Sequence, residues 1–346
     1  MYKQVIEKLL NGNNMLPGET EMIFDEIFNN SINDVQVSSF LTALASKGEV
    51  YQEILGAAHS LNKFKIPVKC SSLQLSDSCG TGGDKSSTFN ISTAVSFVIA
   101  ANGFTVAKHG NRSVTSSSGS ADVLVSLGIN LTNLTPAKAE QALNNIGISF
   151  LFAPYFHPAM KYVANIRKNL SFRTIFNIIG PLVNPAGPVK YHALGVFSPK
   201  LAPVMAKVLQ QMGVENGAVF SSYDGLDEIS VFDQTKIIFF NNESTEEIIF
   251  DPKKYGIYHE SKELEKIKVN NPDESAELIK KILTNSAPSV ARDIVTINAA
   301  IFEKLREPEI SFEEAIRKTS ELISTYKPLE KLNQLIGFSQ KDEVTN

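Results

Sequence analysis

The run Asp77-Ser-Cys-Gly-Thr-Gly-Gly-Asp-Lys-Ser-Ser-Thr-Phe-Asn-Ile-Ser-Thr93 sets three glycines, Gly80, Gly82 and Gly83, between two regular elements. Leu73 and Leu75 lead in with strand-like alternation, and Ile91 to Ala101 reads as an apolar helix. Strand, glycine turn and helix start make an anion cradle: glycines reach positive φ, backbone N–H groups approach a ligand closely, and first-turn N–H groups lack intrahelical partners. The spacing suits a phosphate. It is not a Walker loop, since no Gly-Lys-Ser/Thr closes it and Asp84 stands where that loop wants a cation. Nor is it a dinucleotide fingerprint, because the third glycine is missing at the required offset. Asp84 suits sugar hydroxyls or a metal reached through water, while Thr88, Asn90, Ser92 and Thr93 add donors at the helix mouth. The bland alternative is a capped glycine turn.

Lys108-His-Gly-Asn-Arg-Ser-Val-Thr-Ser-Ser-Ser-Gly-Ser-Ala-Asp122 follows a short strand predicted over Phe104–Ala107 and precedes a helix predicted over Ala121–Leu127. Lys108 and Arg112 with a glycine turn and many hydroxyls imply a second anion site, against the plainer reading of a solvated Ser/Gly loop. After a strand predicted at Ala218–Ser222 comes Asp224-Gly-Leu-Asp-Glu228. Adjacent carboxylates at a strand's carboxyl end suit Mg²⁺, although such doublets are most often solvated surface. Phe156 to Lys168 reads as one helix, on which Arg167 taken alone is a surface arginine. From Arg173 the chain is uncharged and broken by Gly180-Pro181, Asn184-Pro185 and Gly187-Pro188, which reads as a hinge or crossing between domains.

Together these segments resemble the anthranilate phosphoribosyltransferase family of tryptophan synthesis. Gly-Thr-Gly-Gly-Asp…Thr-Phe-Asn-Ile-Ser-Thr, Lys-His-Gly-Asn-Arg…Ser-Gly-Ser-Ala-Asp, Phe-His-Pro-Ala-Met…Arg…Arg-Thr-Ile-Phe-Asn…Gly-Pro-Leu…Asn-Pro and Asp-Gly-Leu-Asp-Glu occur in the family's order and spacing, from about residue 50 to 230. The resemblance implies transfer of phosphoribosyl from 5-phosphoribosyl-1-diphosphate to anthranilate, releasing pyrophosphate, with no catalytic acid or base. It places Gly80, Gly83, Asp84, Thr88, Asn90, Ile91, Ser92 and Thr93, with Lys108, His109, Gly110, Asn111, Arg112, Ser113, Val114, Thr115, Ser116 and Ser120, around the diphosphate substrate. It places Gly80, Asn111 and Arg167 on anthranilate, with His109 and the Gly180-Pro181 turn near the aromatic's access path, and Ser92, Asp227 and Glu228 on Mg²⁺. The C-terminal third departs from the pattern: Glu274-Ser275-Ala276 replaces a usual Asn-Ala pair, and Ser286 to Asp293 lacks a usual glycine. These changes bear on helix packing there, since the expected chemistry lies upstream.

The implied fold is α/β of the nucleoside phosphorylase/phosphoribosyltransferase type, with a small N-terminal α-helical domain and a large α/β domain on a mostly parallel sheet. Residues 1–66 with the crossing 171–189 form the helical domain, and 67–170 with 190–346 the α/β domain; the family pairs helical domains into a homodimer. The residues themselves support that order. Helices are predicted near 2–11, 18–29, 33–47 and 50–64, the third capped by Ser31 with Asp34. Clear later strands are Ile148–Phe152, His192–Phe197, Ala218–Ser222 and Ile237–Phe240; 272–284, 289–304 and 311–336 are helical by period. At 346 residues the chain buries a large core, and its net charge of −4 argues against nucleic acid as a partner. No apolar run reaches membrane-span length and the start lacks a signal-peptide core, so the expected location is cytoplasmic and no membrane partner is expected. Cys70 and Cys79 form no disulfide framework and read as reduced and buried. His59 and His192 read as structural in apolar surroundings, His157 as opening and capping a helix, and His259 as exposed. Two rivals remain: a nucleoside phosphorylase of the same fold, which the Asp227-Glu228 pair disfavours because phosphorolysis needs no Mg²⁺ clamp, and a non-enzymatic nucleic-acid-binding homologue, which would want a basic face.

Overall fold

Four helices open the computed structural model, which describes residues 1–84, 86–112 and 118–341: α1 Tyr2–Leu10, α2 Pro17–Phe28, α3 Asp34–Lys47 and α4 Tyr51–Lys63. Proline suits the first position of α2, and Glu19 reaches back to accept the Leu16 N–H at 2.7 Å. The cap of α3 is not Ser31 with Asp34. Asn33 accepts from the Gln36 N–H at 3.0 Å, and the Gln36 side chain accepts from the Asn33 N–H at 3.2 Å. Gln36 is long enough to close this reciprocal box. Phe24, Phe28 and Phe40 build the aromatic centre of the bundle, and Phe176 of the crossing segment packs on Phe24 and Phe28 at 5.8 and 6.1 Å.

Seven strands follow: β1 Leu75–Gly80, β2 Thr105–Gly110, β3 Ile148–Phe152, β4 Tyr191–Gly195, β5 Asn216–Ser222, β6 Thr235–Asn241 and β7 Thr245–Phe250. They lie in the order β3-β2-β1-β4-β5-β6-β7, parallel from β1 to β5 and antiparallel at β6 and β7. The connecting helices are α5 Ile91–Ala101, α6 Ser120–Ser126, α7 Pro136–Ile146, α8 Ala153–Phe156, α9 Lys161–Leu170, α10 Ala202–Gln211, α11 Pro272–Leu283, α12 Ser289–Arg306, α13 Phe312–Ile323 and α14 Lys327–Gln340. Alternate strand residues face two cores. Val106, Phe150, Ala218 and Ile237 pack under α5 and α11–α14, whereas Ala107, Leu151, Val219 and Ile238 join the core shared by the N-terminal helices, α10 and the crossing segment.

Local pattern misleads at several points. Residues 156–168 are not one helix, because Pro158 disfavours helical backbone at His157; the chain passes from α8 through a 3-10 turn into α9. His157 makes no side-chain capping bond and is buried. The predicted helix 311–336 is two, broken where Tyr326 takes φ 62° ahead of Pro328. Strand β7 carries Glu246 and Glu247 on the open edge of the sheet, where charge blocks further pairing, so it lacks an alternating apolar signal. Strand β2 runs on through Lys108, His109 and Gly110, all paired with β3. Cys79 is buried but Cys70 only half so, and both are free. His59 sits 3.9 Å from Glu21 and is partly exposed, while His259 is half-buried and bonded to Asp293 at 2.8 Å.

The crossing segment is packed down rather than loose. Asn184 donates to Asp77 Oδ2 and to the Ala107 carbonyl, each at 2.8 Å, and Lys65 Nζ donates to the Asn184 and Gly187 carbonyls. The chain leaves β1 toward β2 on one side and returns through β4 on the other. The carboxyl ends of β1 and β4 therefore frame a topological switch point, where open α/β sheets bind ligands.

Candidate active site

Gly80 ends β1 opposite Gly195, which ends β4. A Cβ at Gly80 would run into the Asp227 carboxylate, and one at Gly195 into the Asp227 carbonyl. Both strands end in glycine because the acidic loop after β5 is wedged between them. Gly82 and Gly83 follow at φ +65° and +78°, turning the chain so that the Gly82 N–H donates to Asp227 Oδ2 at 2.7 Å. Asp224 serves its own loop, accepting from the Leu226 N–H and the Ser230 hydroxyl. Asn298 of α12 holds the loop from behind, accepting from the Ile229 N–H at 2.9 Å and donating to the Ile229 carbonyl at 2.8 Å.

Burial, then the charge of Asp84, pushes the Asp227 carboxyl up to about 7. Burial and then Asp227 raise Glu228 well above its ordinary range; Lys108 and a hydrogen bond from the Ser92 N–H pull the other way. Asp84, Asp227 and Glu228 thus crowd into one spot, which disfavours charge on Asp227 and Glu228. Lys108 is itself buried, donating to Ser92 Oγ at 2.9 Å and to the Ser78 carbonyl. A hard divalent cation fits this donor set, which offers carboxylate and hydroxyl oxygens and needs positive charge.

The mouth of α5 lies alongside. Phe89 N–H donates to the Ile267 carbonyl at 2.9 Å and Val269 N–H to the Ser87 carbonyl at 2.8 Å, so residues 87–89 are laced to 267–269. Thr88 pairs with Ser86 through their hydroxyls at 3.1 Å. Asn90 precedes the helix, Ile91 is buried in the core beneath it, and Thr93 is buried in its first turn. On the other side β2 ends at Gly110, where a Cβ would meet the Phe150 ring at 2.9 Å. Asn111 accepts from the Arg112 N–H through its side chain at 2.7 Å, and through its carbonyl from the Ser120 hydroxyl at 3.2 Å.

Residues 72–328 match the glycosyl transferase family α/β domain, and residues 3–64 that family's helical bundle domain. The anthranilate phosphoribosyltransferase of Alkaliphilus metalliredigens is 41% identical over 99% of this chain and 100% of its own length. That of Acetivibrio thermocellus is 42% identical over 98% and 97%. This chain belongs to the anthranilate phosphoribosyltransferase family. The crystal structure of the Thermus thermophilus member superposes with a TM-score of 0.89 at 30% identity, covering 97% of this chain and 99% of that one. The Saccharomyces cerevisiae member, solved in complex with PRPP and Mg, gives 0.87 at 27% identity over 98% and 97%.

Within this family member the expected site residues gather unevenly. Gly80, Gly83, Asp84, Ser92, Lys108, Asp227 and Glu228 converge on the switch point through the contacts above. Arg112 is exposed, paired with Asp122 at 3.0 Å and 5.9 Å above the Phe152 ring. Ser113, Val114, Thr115 and Ser116 lie outside the described residues. His109 packs against His157, ring centroids 5.0 Å apart; burial keeps both neutral, His109 well below the usual imidazole range and His157 at about 4. Arg167 on α9 is half-buried over the Phe176 ring at 5.7 Å, has no carboxylate partner among the described residues, and is pushed down by burial. Arg167 is thus not the purely surface arginine that its helix alone suggested.

Sequence reasoning missed other participants. Arg173 donates to the Gly83 carbonyl and stacks over Phe197 at 4.1 Å, so the crossing segment reaches the glycine turn. A chargeless stretch opened by one arginine was the available signal. Asn298 and Ser275, on C-terminal helices, also touch the site; nothing local marks Asn298, and the departure at Glu274-Ser275-Ala276, expected to bear on helix packing alone, reaches Asn90. The buried group Asp77, Cys79 and His192 brings three potential metal donors together. Its members already bond one another and their neighbours: Cys79 Sγ contacts His192 Nε2 at 3.3 Å, and Asp77 accepts from Asn184 and from the His109 N–H.

Proposed function

We propose that the protein transfers the 5-phosphoribosyl group of 5-phosphoribosyl-1-diphosphate to the amine of anthranilate, giving N-(5-phosphoribosyl)anthranilate and pyrophosphate in L-tryptophan biosynthesis. The observation that carries this reading is the Asp227–Glu228 loop lodged between Gly80 and Gly195, beside the glycine turn and the mouth of α5. A phosphate cradle and a carboxylate pair in one place suit a diphosphate that travels with its metal.

Ser92, Asp227 and Glu228 would hold Mg²⁺, which when bound neutralises charge on the diphosphate. The residues of the glycine turn and the α5 mouth, Gly80 to Asp84 and Thr88 to Thr93, bind and align that group together with Lys108 and Ser120 of the second segment. Arg167 takes the carboxylate of anthranilate through its planar fork, and Asn111 orients the amine. The C1–oxygen bond to diphosphate breaks as the nitrogen–C1 bond forms, and the amine then loses a proton to solvent. An aryl amine is neutral near pH 7, so no strong base is required.

The helical domain is assigned to residues 1–66 with 171–189, in keeping with Phe176 packing on Phe24 and Phe28. A homodimer through that domain is supported by Leu10, Leu16 and Val35, which lie open on its first helices and their connections. Two free thiols suit a cytoplasmic location. The test is anthranilate consumption with 5-phosphoribosyl-1-diphosphate, with and without Mg²⁺. Turnover that requires both is expected; phosphate-dependent cleavage of a nucleoside without transfer to anthranilate would overturn the reading.

A further inference from the structure

We propose that Ser275 is a positioning residue for the diphosphate end of the substrate, acting through Asn90; this rests on the reading above, in which Asn90 contacts that substrate. Ser275 lies in the first turn of α11, 185 residues away in the chain, and is fully buried. Its hydroxyl engages Asn90 twice. It accepts from the Asn90 backbone N–H at 3.0 Å and donates to Asn90 Oδ1 at 3.0 Å. The Ser118 carbonyl, which can only accept, takes the Nδ2 side of the carboxamide, and that leaves Oδ1 facing the Ser275 hydroxyl as its acceptor. Ser118 adds a second hydroxyl on Oδ1 at 2.8 Å and accepts from Asn90 Nδ2 through its carbonyl at 3.2 Å.

An asparagine just before a helix ordinarily turns its oxygen onto the N–H of the second or third helical residue. Asn90 occupies that position and makes no such bond. Both lone pairs of Oδ1 are taken by hydroxyls, so the carboxamide is held off its own helix. The Ser92 N–H is left to Glu228, and the second Nδ2 hydrogen has no acceptor among the described residues. The other first-turn N–H groups are taken as well, that of Ile91 by the Phe89 carbonyl and that of Thr93 by the Asn90 carbonyl, so what Ser275 fixes for an oxyanion is the amide donor of the Asn90 side chain. Without the hydroxyl, the Asn90 N–H loses its partner and the carboxamide loses one of the two bonds that hold its amide donor in place.

Ser275→Ala is expected to raise the KM for 5-phosphoribosyl-1-diphosphate roughly tenfold while changing the anthranilate KM less than about twofold. Ser275→Cys, similar in size with a weak donor, should fall between, and it carries the comparison if the alanine variant does not fold. In an Asn90→Ala background the Ser275 substitution should add less than about twofold, because the carboxamide it orients is gone and only the bond to the backbone N–H remains to be lost. A wild-type diphosphate KM in Ser275→Ala, equal rises for both substrates, or full additivity with Asn90→Ala would overturn the proposal. Calorimetry with inorganic pyrophosphate and Mg²⁺ separates this from the functional reading. Wild type that binds pyrophosphate but shows no transfer sinks the transferase reading. In that case roughly tenfold weaker pyrophosphate binding by Ser275→Ala upholds the Ser275 role, and equal binding sinks it. Wild type that neither binds nor turns over sinks both.

Discussion

Three residues carry opposite electrostatic problems that a substrate complex would solve. Arg167 is a half-buried cation without a carboxylate among the described residues. Arg167→Ala should raise the anthranilate KM tenfold to a hundredfold and leave the diphosphate KM nearly unchanged, since a charge-assisted hydrogen bond is worth about 1.5–3 kcal/mol. Arg167→Lys recovers part of this, lacking the two parallel N–H groups. Aniline is the control acceptor: a variant that still prefers anthranilate over aniline as wild type does would show that Arg167 is not the carboxylate anchor. Asp227 and Glu228 are the converse case, both pushed up by burial and by neighbouring carboxylates. Neutral Asp227→Asn with Glu228→Gln relieves that repulsion, so the thermal midpoint without ligand should hold or rise while the Mg²⁺ requirement climbs at least about tenfold. Wild-type turnover at limiting Mg²⁺ would remove these two from the metal site.

The elements decide how closely these groups can meet. The turn at Gly82–Gly83 works because both residues sit at positive φ, and Gly83 also lies under Arg173: a Cβ there would stand 2.9 Å from its Nη2. Gly83→Val would strain the backbone and push off the arginine from the crossing segment, so diphosphate binding should be lost while the far core stays folded. Calorimetry with 5-phosphoribosyl-1-diphosphate on the folded variant is the check, and undiminished affinity would place the cradle elsewhere. Strand β2 follows the same logic of close approach. By carrying Lys108 as a paired strand residue rather than in a loop, it buries the ammonium beside Ser92 instead of exposing it.

At the scale of the whole molecule stability rests on the two cores. His157 is buried and neutral, its imidazole lowered to about 4 by burial and then by Lys65. The unfolded chain takes up a proton near 6.5 and the folded one only near 4, so this residue's share of stability is complete above 6.5 and disappears as pH falls toward 4. Between pH 7 and about pH 5 that is a loss of about 2 kcal/mol, which His157→Gln should remove from the pH dependence of urea midpoints. Parallel pH profiles for the two proteins would show that His157 already titrates normally when folded. For assembly, Val35 is 75% exposed at the start of α3. Val35→Lys should shift sedimentation from dimer toward monomer; a wild-type protein that sediments as a monomer removes the dimer proposal.

Spacing along the chain was enough to mark Gly80, Gly82, Gly83, Asp227 and Glu228, and the helix-then-α/β order. Glycine turns, strand alternation and carboxylate doublets are local properties, set by backbone sterics and side-chain type within a few residues. The breaks at Pro158 and before Pro328 are local too, but the apolar period runs on across both and masks them. What only the folded chain decided is which distant residues share a boundary. Ser275 reads as a packing change on a remote helix, yet it bonds Asn90; Asn298 supports the acidic loop; Arg173 meets Gly83. Whether Arg167 was solvated or half-buried, and whether His259 was exposed or bonded to Asp293, depended on elements far away in the chain. Burial and partnership belong to the path of the whole backbone, and a side chain's neighbours in sequence do not determine its neighbours across a sheet.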